Sequence, residues 1–287
     1  MSVSPKQTFI DRDGQGLALL QLGQGPEIVL LHGFPDTAWS YLPVMRQLAD
    51  AGYRATAPFM RGYAPSDLAA DDDYRIEALA ADVLGVIDAL GASRAAVVGH
   101  DWGAVAAYTA AQKAPERIGT LVTAAVPHMR RFLASLGPRQ LWRSRYMLRF
   151  QLPGAPARFA RGDALERLVA EWSPGWAFTA EDLAPVRESL EDPARARALL
   201  RYYRQLPAQI AHAPTRRRLL APVPVAATVV SGAQDGCIGP EIFDGQEALF
   251  PAGLQLERMA DAGHFMHCER PEAFARIILA AVDRGCP

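Results

Sequence analysis

An α/β fold, with a mostly parallel central sheet flanked by helices and interrupted by a helical insertion, is what this sequence predicts. Three observations carry the prediction. Short apolar runs of strand length alternate with helical periodicities as far as residue 127. That rhythm stops until about Pro214 and then returns to the end of the chain. A chain of 287 residues, half of them apolar, is long enough for one large domain carrying an insertion.

Leu17–Leu22 and Ile28–Leu31 read as strands, the second running straight into His32-Gly33-Phe34-Pro35. A helix is expected from Trp39 to Ala51 and a strand from Tyr53 to Phe59, which ends in the loop Arg61-Gly62-Tyr63-Ala64-Pro65. Ile76, Leu79, Val83, Val86, Ile87 and Leu90 recur at spacings of three and four, the mark of an amphipathic helix. Ala95–Val98 is a continuous apolar run, as a strand buried on both faces should be. Gly99-His100-Asp101-Trp102-Gly103 and an alanine-rich helix to about Ala114 follow, and then a strand over Leu121–Val126. Residues 128–214 look helical and rich in arginine and aromatics, with no clear strand. Val225–Val230 and Leu254–Met259 restore the strands, and a last helix runs from Pro271, where a missing N–H costs nothing, to Val282. The organisation is a core domain of residues 1–127 and 215–287 with a helical cap of residues 128–214.

With 30 basic against 31 acidic side chains, the bulk charge makes no electrostatic case for nucleic acid or an anionic membrane. Arg216-Arg217-Arg218 reads as a solvated face. The first residues lack the pattern of a secretory signal, and no window approaches the about 20 apolar residues of a membrane span. Cys237, Cys268 and Cys286 have no metal-ligand spacing and read as reduced thiols. A cytoplasmic monomer or homodimer is the default expectation.

Chemistry concentrates at Gly99-His100-Asp101-Trp102-Gly103, on a strand-to-helix junction. Small residues two positions either side of the centre mark a nucleophile elbow, a turn so tight that only glycine-like neighbours fit. Such a turn lifts the central side chain above the carboxyl edge of the sheet, where open α/β folds bind ligands. A serine there must be deprotonated by its histidine before it attacks. Asp101, with an ordinary carboxylate pKa of about 3.9, needs no base to become a nucleophile. It can displace a leaving group from saturated carbon, leaving an ester that histidine-activated water cleaves. The alternative is an aspartate that merely caps the helix N-terminus.

Elbow folds order nucleophile, acid and histidine along the chain. Asp235, after the Val225–Val230 strand, is the expected acid, and His264, after Leu254–Met259, the expected base. His267 is the rival base and Asp261 the rival acid, although the nearness of Asp261 to the histidine is only sequential. Ala124-Ala125-Val126-Pro127 offers no acid after its strand. The backbone N–H groups of Phe34 and Trp102 are expected to form the oxyanion hole, with His32 holding the loop.

Together these residues resemble the α/β-hydrolase superfamily over nearly the whole chain, and within it the soluble epoxide hydrolases. His32-Gly33-Phe34-Pro35-Asp36, Gly99-His100-Asp101-Trp102-Gly103 and Gly263-His264-Phe265 are close to that family's motifs. The resemblance implies an α/β-hydrolase fold and hydrolysis of a small apolar epoxide to a diol, with no cofactor or metal. It also implies two cap tyrosines that protonate the opening oxygen, a task suited to a group of pKa about 10. The segment Tyr146–Gly154 resembles the one carrying the first, at Tyr146. Arg201-Tyr202-Tyr203-Arg204 resembles the one carrying the second, at Tyr203, with Tyr202 the alternative register. Trp39, Trp176 and His128 are the expected substrate contacts, and Trp172 and Phe178 add to an apolar pocket.

Haloalkane dehalogenases share the aspartate and the tryptophan after it, but hold the leaving halide with a second tryptophan, for which Trp172 and Trp176 are the candidates, or with an asparagine where Phe34 stands. Fluoroacetate dehalogenases resemble the chain at Phe34 but carry arginine where Trp102 stands. Dehalogenation on the same triad, and ligand binding without catalysis on the same scaffold, are the competing functions. Phe59 stands where relatives commonly place an aspartate.

Overall fold

The computed structural model describes residues 4–285. Its strands are β1 (Lys6–Arg12), β2 (Gln15–Leu22), β3 (Glu27–Leu31), β4 (Arg54–Pro58), β5 (Ala95–His100), β6 (Ile118–Ala124), β7 (Ala227–Gly232) and β8 (Leu254–Met259). They form one sheet in the order β1-β2-β4-β3-β5-β6-β7-β8. The pairs β1–β2 and β2–β4 are antiparallel and the rest parallel. Helices α1 (Leu42–Asp50), α2 (Ile76–Ala89) and α3 (Trp102–Lys113) lie between the early strands. The insertion between β6 and β7 is helical: α4 (Met129–Ala134), α5 (Pro138–Arg143), α6 (Arg145–Gln151), α7 (Ala155–Phe159), α8 (Ala164–Trp172), α9 (Ala180–Glu191), α10 (Pro193–Ala211) and α11 (Ala213–Leu219). The short α12 (Met266–Glu269) and α13 (Pro271–Gly285) close the chain.

Strand alternation sorts the core into two layers. Leu17, Leu19, Val29, Leu31, Val97 and Leu121 pack with α2, α3 and the insertion. Their neighbours Ala18, Leu20, Ile28, Leu30, Val98 and Val122 pack under α1 and α13. All five residues of β3 are buried, and each fully buried large aliphatic there contributes roughly 1.5–3 kcal/mol. The strand β1 was not expected. Its side chains are mostly exposed, Phe9 among them, so it carries no buried-strand pattern. The expected Trp39–Ala51 helix divides into a 3-10 turn at Ala38–Tyr41 and α1. Cys237 and Cys268 are unpaired thiols, and Cys286 lies outside the described residues. No helix among the described residues is long and apolar enough to cross a membrane.

The insertion is pinned to the core through α10. Tyr202 donates to the Arg61 carbonyl at 2.7 Å, and Arg195 to those of Gly62 and Ser66 at 3.3 and 2.8 Å. The side-chain carbonyls of Gln205 and Gln209 accept from the backbone N–H groups of Tyr74 and Ile76. These bonds satisfy backbone groups of the loop after β4, which Arg61 also clamps to α2 through both carboxylate oxygens of Asp82 at 2.6 Å each. The register of α10 over the sheet edge is set there.

Candidate active site

β5 ends at His100 and α3 begins at Trp102, so Asp101 makes the turn alone, at φ 50° and ψ −116°. Few side-chain-bearing residues adopt positive φ, and those that do need support from their surroundings. Here the Asp101 N–H donates to the Ala124 carbonyl at 3.1 Å, and its own carbonyl accepts from Ala104 and Val105 in the first turn of α3. The flanking glycines are a packing necessity. A Cβ on Gly103 would stand 2.2 Å from the Leu31 carbonyl oxygen, and one on Gly99 2.4 Å from that of Gly103.

The two oxygens of Asp101 have different tasks. Oδ1 accepts from the Phe34 N–H at 2.8 Å, and Oδ2 lies 3.8 Å from Nε2 of His264. The second distance is too long for a hydrogen bond, and that buried nitrogen has no other partner. On its far side His264 meets Oδ2 of Asp235 through Nδ1 at 2.9 Å. Oδ1 of Asp235 accepts from the N–H groups of Cys237 and Ile238 at 2.7 and 2.9 Å, so the acid cannot swing away. Burial opposes charge on the His264 ring, but the carboxylates of Asp235 and Asp101 outweigh it and push its pKa up to about 10. The N–H of Trp102 opens α3 and has no acceptor within the helix.

The rival groups are engaged elsewhere. His267 bonds to Asp36 Oδ2 at 2.8 Å and stacks on Tyr41, and Asp261 pairs with Arg270 at the surface. His32 takes the Met60 N–H on Nε2, which fixes its proton on Nδ1, facing the Gly33 carbonyl. It holds the loop, as expected.

Ser173 and Glu269, which sequence reasoning missed, brace the loop that carries His264, together with the Trp172 carbonyl. The Ser173 hydroxyl donates to Oε1 of the buried Glu269 at 2.8 Å and accepts from the Phe265 N–H at 3.0 Å. Glu269 also accepts from the Gly263 N–H at 2.9 Å, and the Trp172 carbonyl accepts from the N–H groups of His264 and Gly236. The three N–H groups around the base are thus seated on the end of α8 and on Glu269. His100 donates from Nε2 to the His264 carbonyl at 2.9 Å, and Cys237 lies 3.5 Å from the Tyr146 hydroxyl. Asp36, His100 and His267 form one cluster of metal-type donors and Asp235, Cys237 and His264 another. In each, the carboxylate is already bonded to an imidazole.

Over Asp101 the cap forms an aromatic roof. Tyr203 sits edge-on to Phe34 and to Trp102, ring centroids 5.1 Å from each. Tyr146 is 5.6 Å from Tyr203 and 4.8 Å from Trp172, which is itself 4.8 Å from His264. Burial pushes both tyrosine hydroxyls well above their ordinary pKa, with the Asp101 charge adding to it, so both stay neutral donors. The Tyr203 hydroxyl is buried without a partner. Tyr202 is turned the other way and spends its proton on Arg61.

The expected substrate contacts are not all brought to this centre. Trp39 and Trp176 share a cleft of about 210 Å³ with Phe265, the residue after the base, but neither Asp101 nor the two tyrosines line it. His128 stands apart. Its Nδ1 accepts from the Arg130 N–H and its Nε2 donates to the Ala221 carbonyl, so it caps α4 and ties the two ends of the insertion, with no free nitrogen for a substrate. Phe59 is buried against Trp39.

Residues 26–271 match the α/β hydrolase fold family. The chain is 32% identical over 286 residues to the AB hydrolase superfamily protein YfhM of Bacillus subtilis, covering 96% of each. It is 38% identical over 183 residues to epoxide hydrolase A of Mycobacterium tuberculosis, a match spanning 60% of this chain and 56% of that protein. Among solved structures it superposes on the epoxide hydrolase of Bacillus megaterium in complex with an inhibitor, with a TM-score of 0.84 and 27% identity, over 96% of this chain and 100% of that one. Fold, elbow geometry and relatives agree: the chain belongs to the α/β-hydrolase fold family and resembles the epoxide hydrolases within it.

Proposed function

We propose that this chain hydrolyses epoxides to diols through an ester on Asp101. The observation that carries the reading is the Tyr203 hydroxyl, buried without a partner beside a carboxylate that needs no base. Oδ2 of Asp101, the oxygen without a backbone bond, attacks an epoxide carbon. As that C–O bond breaks, the oxygen takes a proton from Tyr203 or Tyr146. Oδ1 becomes the ester carbonyl, already bonded to the Phe34 N–H.

Esterification removes one of the two charges that raise the pKa of His264. The ring then yields its proton, which balances the one the tyrosine gave up. Neutral His264 next draws a proton from water at Nε2 while the hydroxide adds to Cγ of Asp101. The oxyanion develops on Oδ1, where the donor is already in place. Collapse expels the diol. The oxygen of the water stays in the Asp101 carboxylate, one of its protons leaves on the diol, and the other recharges His264.

The test is diol formation from styrene oxide, followed by chromatography, with Asp101→Ala as control. Diol from the wild type alone supports the reading. No diol from several epoxides, with halide released from alkyl halides instead, would move it to dehalogenation. A single turnover in water bearing heavy oxygen should leave the label in Asp101 and not in the diol.

A further inference from the structure

The near-neutral total of 30 basic and 31 acidic side chains conceals a local imbalance. Between Ile118 and Gly162 the sequence carries eight arginines and no aspartate or glutamate. This stretch builds α4 to α7, the first part of the insertion. Glu241 and Glu171, from elsewhere in the chain, pair with Arg143 and Arg145. Arg130, Arg139, Arg149, Arg158 and Arg161 are exposed and have no ion-pair partner among the described residues.

The same stretch leaves most of the chain's large exposed apolar side chains in water. Eight are exposed among the described residues, and five of these are Leu136, Leu141, Trp142, Leu148 and Leu152. Single exposures scattered over a surface need no account, but a cluster does. Gln140 of α5 is buried, donating to the Cys237 carbonyl and accepting from the Gly239 N–H, while Leu141 and Trp142 beside it are turned to solvent. On α6, Tyr146 and Phe150 lie one turn apart on the face that roofs the site. Leu148, 74% exposed, and Leu152, just past the helix end, are also one turn apart, on the opposite side. A helix apolar on both faces belongs in an interior, yet one face of α6 is bare. The Arg145 guanidinium lies 4.4 Å over the Trp142 ring, so cation and tryptophan share one surface.

We propose that the outer face of α5 and α6 docks on an anionic lipid surface, with Leu141, Trp142 and Leu148 entering the headgroup layer and the arginines meeting the acidic headgroups. Tryptophan, leucine and arginine on one face make the composition that lies in a membrane interface. No helix among the described residues is long and apolar enough to cross a membrane, so the association is peripheral. Charge decides against a second copy of the chain as the occupant, because a two-fold contact would set this acid-free, arginine-rich stretch against itself. The inference does not depend on which reaction the site performs. Docked in this way, the helix that carries Tyr146 lies between the site and the bilayer.

The test is co-sedimentation with vesicles of phosphatidylcholine alone and of phosphatidylcholine mixed with phosphatidylglycerol. The wild type should bind the mixed vesicles roughly tenfold more tightly or better, and added salt should erase the difference. Arg139→Gln with Arg149→Gln should weaken that binding by roughly tenfold or more, since each arginine near an anionic surface is worth about fivefold. Trp142→Ser with Leu148→Ser should weaken it by a similar factor. Tm should stay unchanged in the serine variant, because both side chains are exposed. Brominated lipid should quench tryptophan emission of the wild type and spare most of it in Trp142→Phe. No binding to the mixed vesicles, equal binding to both kinds, or a serine variant that binds like the wild type would overturn the inference. A concentration-dependent dimer that the serine variant dissolves would overturn it too, by making the face an interface between copies.

Discussion

Tyr203→Phe should make the protein more stable and the enzyme worse. The hydroxyl is buried, and although the Trp102 side chain favours its ionised form slightly, no acceptor receives its proton. An unmade hydrogen bond of this kind costs about 1–3 kcal/mol. Phenylalanine keeps the ring contacts with Phe34, Trp102 and Tyr146 and removes only the orphan oxygen. The variant should therefore gain about 1 kcal/mol, or about 2 °C in Tm for a chain of this size. Its epoxide opening should fall by roughly a hundredfold, the scale of one positioned general acid, with Tyr146 covering part of the loss. Tyr146→Phe is the internal contrast. Its hydroxyl meets the Cys237 thiol, so removal leaves that sulfur unpartnered and brings no gain in stability. Urea unfolding of the three proteins and single-turnover diol formation measure both halves. Destabilisation of Tyr203→Phe by 1 kcal/mol or so would mean that the hydroxyl is partnered in the folded protein, and an unchanged diol rate would remove Tyr203 from the chemistry.

Asp235→Asn keeps the bonds from Cys237 and Ile238 but presents an N–H donor to Nδ1 of His264, forcing the other tautomer and blocking Nε2 as a base. The expected loss in kcat is roughly 10³–10⁴, with Asp101 ester accumulating in intact-mass spectra because the first step needs no base; a variant that turns over normally would exclude Asp235 as the acid. Stability should follow the raised pKa of His264: its contribution is fully present below the ordinary value of 6.5 and is lost as pH rises through about 10. The stability gap between wild type and Asp235→Asn should accordingly narrow over that window in urea titrations, and a constant gap would refute the coupling. Ser173→Ala and Glu269→Gln unseat the N–H groups around the base without touching Asp101. Both should slow ester hydrolysis by about tenfold, one lost buried hydrogen bond, and leave ester formation intact; rapid-quench mass analysis showing both steps slowed alike would make the pair merely structural.

What could be read from the sequence was whatever the chain carries locally. The elbow was legible because Gly99 and Gly103 sit two residues from Asp101; a Cβ on Gly99 would meet the Gly103 carbonyl across the turn, and one on Gly103 the Leu31 carbonyl of β3. Asp235 and His264 were legible because each lies in the loop after a strand, the buried β7 and the half-exposed edge strand β8, and parallel strands end on one edge of a sheet. The strand β1 was readable in part: Asp13-Gly14, both at positive φ, is a hairpin turn signal, but seven mostly exposed residues before it gave no apolar pattern. Tyr202 and Tyr203 could be separated only by the fold. Successive residues on a helix point about 100° apart, and the choice between them falls to Arg61, whose carbonyl claims Tyr202 from 141 positions away.

The same dependence on distant partners explains the rest. His128 lay beside a strand end, where a ligand contact is a fair expectation, yet the carbonyl that occupies its Nε2 belongs to Ala221, across the whole insertion. Ser173 and Glu269 are 96 residues apart and meet only because α8 docks on the loop of the base. That docking has a functional consequence. The segment that seats His264 is part of the cap, and the cap also carries both tyrosines. A displacement of the cap that opens a path to the buried Asp101 must therefore loosen the base and remove the proton donors together. On the proposed reading, base, acid donors and water exclusion are assembled by one packing event, and Asp101 is alkylated and released only when the insertion is seated over it.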